Sequence, residues 1–268
     1  MARANRHYIP GYVWHITHRC HKKEFLLKFA CDRRRWINWL FEAKKRFNLS
    51  VLNYMVTSNH IHLLVYDNNG PDAIPKSMQL IAARTGQEYN IRKQRRGAFW
   101  EDRYHATAIE KNAHLNRCLV YIDLNMVRAG VVDHPKMWPF GGYNEIQNPP
   151  RRYRIIDLDS LARLMGCTDL QNLQSAHKRW VEASLRPDKP QRESHWTDSI
   201  AVGSKSFIEE VKKSLGFKTK GRSIAGSNDN YQLKENVSNF GNTCLPGPDL
   251  SNRSDSDANN TFVWSDIS

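Results

Sequence analysis

Asn53-Tyr54-Met55-Val56-Thr57-Ser58-Asn59-His60-Ile61-His62-Leu63-Leu64-Val65 decides how this chain folds. Two β-prone runs flank the polar segment Thr57-Ser58-Asn59, so the stretch reads as an antiparallel hairpin. Side chains at i and i+2 of a strand share a face. His60 and His62 therefore project side by side, with Ile61 turned into the core. Two imidazoles on one rigid face are half of a metal site. A lone His-x-His is more often a pair of solvated histidines, so its weight depends on its surroundings.

Outward from the hairpin, apolar periodicity predicts a strand at 11–19, a helix at 32–47 and strands at 50–57 and 60–66. A helix at 73–94, a strand at 101–109 and a helix at 112–129 follow. This βαββαβ order points to an α+β, ferredoxin-like antiparallel sheet with helices on one face. Residues 1–150 form that domain, with a Pro-, Gly- and aromatic-rich connector over 136–155. Residues 151–225 read as a helical extension, including a basic helix at 205–215. It either packs on the main domain or reads DNA, and packing is the favoured reading. Residues 226–268, with 23 Asn, Ser, Asp or Gly among 43, read as a disordered tail.

The predicted helix at 112–129 carries Tyr121-Ile122-Asp123-Leu124-Asn125. Asn112 is its expected N-cap and Gly130 its expected stop. Tyr121 and Asn125 are four apart and so share a face. An amide oxygen is a hard ligand suited to Mg²⁺ or Mn²⁺. Alone, Tyr-x-x-x-Asn is more often packing than chemistry.

Taken together, these blocks resemble a known family. Asn59-His60-Ile61-His62-Leu63-Leu64 resembles the HUH motif, and Tyr121–Gly130 resembles the helix of single-tyrosine HUH transposases. The branch it looks most like is the transposase-like proteins associated with bacterial repetitive extragenic palindromes. Tyr8–Thr17 resembles that family's first strand, and Phe99-Trp100-Glu101-Asp102-Arg103-Tyr104 the block before its helix. The resemblance covers about residues 6–147. It implies metal ligation by His60 and His62, a third ligand in Asn125, and Tyr121 as nucleophile. Met126 stands where the family usually has Pro, Asp123 where His is common, and Ser58 where Pro is frequent. None of these departures removes a catalytic atom.

The implied reaction is single-stranded DNA cleavage and strand transfer. The cation, Mg²⁺ or Mn²⁺, neutralises a phosphate oxygen and aligns the group. Tyrosine attack gives a 5′-phosphotyrosine and releases a 3′-hydroxyl, and the step is reversible without a nucleotide cofactor. No Gly-Lys phosphate loop occurs in the sequence.

Charge agrees with a nucleic-acid partner. The 268 residues carry net +13, divided as +11 over 1–150, +6 over 151–225 and −4 over 226–268. The cluster Arg92-Lys93-Gln94-Arg95-Arg96 ahead of Phe99-Trp100 is the expected phosphate track, with Arg103 completing the candidate DNA contacts. Trp36 and Trp39 are expected in the core or partly buried rather than as base platforms. The expected partner is single-stranded or hairpin DNA, with a homodimer left open. Five scattered cysteines fit a reducing cytoplasm, and no apolar run spans a membrane. Two other classes remain: a catalytically silent nucleic-acid-binding module on the same sheet, and a structural metal protein.

Overall fold

The computed structural model describes residues 9–70, 72–185, 193–216, 222–227 and 230–235. Its centre is built from β1 (Val13–Arg19), α1 (Ala30–Phe47), β2 (Ser50–Val56), β3 (His60–Tyr66), α2 (Ala73–Arg92) and β4 (His105–Ile109). The hairpin forms as expected: β2 and β3 pair antiparallel, with Tyr54 opposite Leu63 and Met55 opposite His62. β1 then pairs antiparallel with both β3 and β4, which gives the order β2-β3-β1-β4. That is the ferredoxin-like order.

Pairing assigns the two faces. Ile16, His18, Ile61 and Leu63 point one way and meet α1 and α2. There the Trp100 ring stacks on His18 at 4.0 Å, and its indole N–H donates to the Ala82 carbonyl of α2 at 3.0 Å. Trp36 is fully buried under α1, as expected of a core residue. The opposite face carries His15, Thr17, His62, Asn53 and Thr107, because these residues are direct cross-strand partners or lie two apart. Helices therefore lie on both faces of the sheet. α1 and α2 take the expected side, while α3 (Ala113–Asp123) takes the other.

The helix predicted over 112–129 is interrupted. α3 ends at Asp123, Leu124 has ψ 4°, and α4 (Asn125–Arg128) resumes the turn. Asn112 precedes α3 but makes no side-chain cap, because its backbone is at φ 63°. Gly130 does end the segment, at φ 66°.

Beyond α4 the chain returns to the free edge of β2. The Val56 N–H donates to the Phe140 carbonyl at 2.9 Å, and the Gly142 N–H to the Tyr54 carbonyl at 2.8 Å. α5 (Tyr143–Gln147), α6 (Leu158–Leu164) and α7 (Leu170–Ser184) follow. α7 covers the outer side of α3, where Val181 packs with Val120, Leu124 and Tyr143. It also supplies the buried His177, whose Nε2 meets Asp123 Oδ2 at 2.7 Å, while Asn53 Nδ2 donates to the other carboxylate oxygen at 3.0 Å. A buried carboxylate needs such partners, and these two lock α3 between sheet and extension.

Gly142 is pressed against this network. A Cβ there would collide with Asn53 Oδ1 and meet Ile156 Cδ1 at 2.8 Å. Gly142→Ala is expected to lower stability by about 1–3 kcal/mol, the usual range for overpacking, read as a fall in Tm. An unchanged Tm would mean that Asn53 shifts without loss.

The extension is more than helical. After α8 (His195–Asp198), the short β5 (Ala201–Gly203) joins β4 in parallel. α9 (Lys205–Leu215) matches the expected basic helix. β6 (Arg222–Ser227) and β7 (Asn230–Glu235) then complete a seven-stranded sheet among the described residues, in the order β2-β3-β1-β4-β5-β7-β6. This moves the start of the expected disordered tail: 226–227 and 230–235 are strand, because Leu233 is fully buried and pairs with Ala201 and Ile224. Residues 236–268 of that tail lie outside the described residues. The described residues up to Glu235 belong to one compact unit, so the described part of 151–225 packs with the preceding domain. No helix of the described residues is long and apolar enough to cross a membrane.

Candidate active site

A cleft of about 950 Å³ opens beside β1, β3, α3 and α4. Its wall includes His60, His62, Tyr121, Asn125 and Arg103, all singled out from the sequence. It also includes Thr17, Arg19, Lys23, His105 and Arg128, which sequence reasoning had not singled out for the site.

The two histidines stand side by side as strand alternation requires, with ring centroids 5.0 Å apart and planes at 78°. His60 is held by its own turn. Thr57 Oγ1 donates to the His60 carbonyl at 2.8 Å, so its hydrogen is committed there. His60 Nδ1 lies 2.7 Å from Asn59 Oδ1 and 3.0 Å from Thr57 Oγ1. Nδ1 therefore carries the hydrogen, and Nε2 is left as the lone-pair nitrogen.

His62 is only 1% exposed. Its Nε2 is 2.9 Å from the Asn125 carboxamide, and its Nδ1 is 2.9 Å from His15 Nε2. Octahedral ligands about 2.1 Å from a hard cation lie about 3.0 Å from one another. The His62–Asn125 separation matches that edge, once the carboxamide turns its oxygen inward. Oxygen and nitrogen of an amide are assigned from the network rather than seen. Two imidazoles and one carboxamide thus fit a divalent cation with positions left for phosphate and water. Among the described residues no group of three His, Cys, Asp or Glu offers an alternative metal site.

Tyr121 is 5% exposed and stands edge-on to His62, ring centroids 6.0 Å apart. The break at Leu124 does not part it from Asn125, because Leu124 N–H still donates to the Val120 carbonyl and Arg128 N–H to the Leu124 carbonyl, both at 2.9 Å. Arg128 folds back over Tyr121. Its guanidinium lies 4.0 Å from the ring centroid, and Nη2 donates to the Tyr121 carbonyl at 2.7 Å. The i, i+7 spacing of Tyr121 and Arg128 was the available sequence signal, two helical turns on one face.

His15 underlies the site. Burial pushes its pKa down to about 3, against the opposing pull of the hydrogen bond to the Trp196 carbonyl. Its Nδ1 meets the Trp196 carbonyl at 2.8 Å. Trp196 in turn packs against the Tyr121 ring at 6.2 Å. His15 lies in the first-strand block without any metal-ligand spacing to mark it, and Trp196 stands 181 residues further along the chain.

The 92–96 cluster lies elsewhere, at the end of α2, and none of its residues lines the cleft. Arg92 pairs with the buried Asp32. Arg95 donates to the Ala98 carbonyl at 2.9 Å and lies 3.4 Å from Glu24. Lys93 sits over the Phe29 ring at 5.2 Å. Arg92 and Arg95 thus serve the protein's own fold, although Arg92 is exposed, as are Lys93 and Arg96.

Residues 9–125 match the family model described as "Transposase IS200 like". No curated protein matches the sequence. Among solved structures, one of a REP-associated tyrosine transposase bound to a REP hairpin is 20% identical, with a TM-score of 0.46. The match covers 54% of this chain and 84% of that one.

Proposed function

We propose, on the match of residues 9–125 to the IS200-like transposase family, that this chain cleaves single-stranded DNA and transfers the cut strand through Tyr121. The observation that carries the reading is the meeting of His60, His62, Asn125 and Tyr121 in one cleft, with Arg128 over the tyrosine ring. A silent binding module would have no need of all four together.

His60 Nε2, His62 Nε2 and the Asn125 carboxamide oxygen would hold Mg²⁺ or Mn²⁺, which supplies Lewis-acid neutralisation of a phosphate oxygen. The chain's own residues do the rest. Arg128 offers a fixed cation where negative charge gathers on phosphate or phenolate. Arg19, Lys23 and Arg103 line the cleft, where they give the phosphate backbone a track. Packing against Trp196 and Arg128 fixes the Tyr121 ring, so little orientation is lost at attack. The tyrosine oxygen loses its proton to solvent and bonds to phosphorus, the 3′-oxygen leaves with its electron pair and takes up a proton from solvent, and the 5′-phosphotyrosine persists until a 3′-hydroxyl reverses the step.

The partner is single-stranded DNA or a hairpin with a single-stranded flank. Incubation of the protein with such substrates and Mg²⁺ or Mn²⁺ should give a protein–DNA adduct that survives denaturing electrophoresis. Absence of the adduct on every single-stranded and hairpin substrate, with binding intact, would favour the silent module.

Placement of the cations refines the binding test. Neutralising Arg92 would strand the buried Asp32, so loss of binding in that variant would report unfolding. Lys93→Ala/Arg96→Ala should leave Tm unchanged. If these residues touch DNA, the double variant should flatten the salt dependence by about 0.7 in log–log slope per phosphate contact removed. Titrations at several salt concentrations read this directly, and an unchanged slope would take them out of the interface.

A further inference from the structure

The hydrogen-bond partners of His62 reach outside its motif and fix which of its nitrogens carries hydrogen. His15 lies on β1 and shares a sheet face with His62, because Thr17 pairs with His62 and His15 is two residues away. The Trp196 carbonyl can only accept, so His15 Nδ1 must carry a hydrogen in that 2.8 Å contact. Between His15 Nε2 and His62 Nδ1, 2.9 Å apart, there is room for one more.

Two arrangements satisfy that contact. In the first, His15 donates, which makes it an imidazolium at a position with no exposed surface. An isolated buried cation is strongly disfavoured. In the second, His15 is neutral and accepts at Nε2, His62 donates from Nδ1, and the His62 Nε2 lone pair faces the Asn125 carboxamide 2.9 Å away.

We infer that the Trp196 carbonyl, His15 and His62 form a hydrogen-bonded relay that holds His62 in the Nδ1–H tautomer, with its Nε2 lone pair directed at the cation position. His15 is then a positioning residue for the metal ligand, and the carbonyl of α8 is the anchor. The inference rests on the metal reading above and extends it: Trp196, beyond the family match at 9–125, completes the relay. Metal-bound histidines are usually held through the other ring nitrogen, and removal of that partner usually lowers affinity about ten- to a hundredfold. Here the partner is a second imidazole rather than a carboxylate, so its orientation has to be fixed in turn, and the Trp196 carbonyl does this.

The test uses the full chain labelled with ¹⁵N-histidine. Long-range ¹H–¹⁵N spectra of the metal-free protein should show His62 as the Nδ1–H tautomer. His15→Gln provides a carbonyl for His62 Nδ1–H and an amide hydrogen for the Trp196 carbonyl, so tautomer and Mn²⁺ affinity should be kept. His15→Leu provides neither. Its His62 hydrogen should move to Nε2, where a turned Asn125 oxygen accepts it, and Mn²⁺ affinity measured by electron paramagnetic resonance should fall about ten- to a hundredfold. An Nε2–H tautomer in the unmodified protein overturns the inference. So does a Gln variant that loses affinity as fully as the Leu variant, since shape and not hydrogen bonding would then be at work. If His15→Leu does not fold, the unmodified spectrum and the Gln variant decide. Failure of the unmodified protein to bind Mn²⁺ would instead remove the metal reading, a result the tautomer spectrum does not depend on.

Discussion

Tyr121→Phe should abolish the covalent adduct and lower strand cleavage by on the order of a thousandfold or more, the scale seen when a covalent nucleophile is removed. The reason is specific to one oxygen. Phe keeps the ring, its packing on Trp196 at 6.2 Å and the overlying Arg128 at 4.0 Å, so the fold and DNA affinity should change little. Peptide mapping of the trapped adduct provides the positive half of the test. The other tyrosines considered are poorly placed: Tyr143 packs on His134 and His177 behind α3, and Tyr104 stands edge-on to His18 on the other side of the sheet. An adduct on either, or normal cleavage by the Phe variant, would sink the assignment.

His62→Ala should lower metal-dependent cleavage by at least about a hundredfold, whereas Asn125→Ala should cost nearer tenfold. An imidazole is the stronger ligand, and a water can replace an amide oxygen. His60→Ala should resemble His62→Ala in activity, but not in stability. His62 is buried and bonded on both nitrogens, whereas His60 is partly exposed. Initial rates across an Mn²⁺ titration, with Tm measured in parallel, separate ligand loss from unfolding. Cleavage that persists in excess chelator would refute the metal role altogether.

Much of this site was legible because its parts obey short-range geometry. His60 and His62 are i and i+2 on a strand, and Tyr121 and Asn125 are one helical turn apart. The first strand, the hairpin and α2 follow equally local periodicity. What was not legible lies across long separations. His15 is 47 residues from His62 and 181 from Trp196, and no local pattern brings them together. β5 is only three residues long, and β7 buries little beyond Leu233 in a polar stretch, so neither stands out from loop or tail. Asp123 shows the same limit. Beside the resembling family it reads as a departure from His, but in the fold the chain supplies a histidine to it from α7, as His177.

The parallel joint between β4 and β5 has a consequence for how the protein is born. β4 ends at Ile109, and the strand that covers its edge begins at Ala201. At translation rates of about 5–20 residues per second, the gap leaves that edge open for on the order of ten seconds on the ribosome. An uncovered strand edge is a template for pairing with another chain. Over the same interval Trp196 has not been made, so Tyr121 and His15 lack their partner. A nascent chain therefore holds a half-assembled cleft and a sticky border together, and the arrival of one short segment closes both. Fragments that stop near residue 150 are expected to keep the nascent liability without the finished cleft.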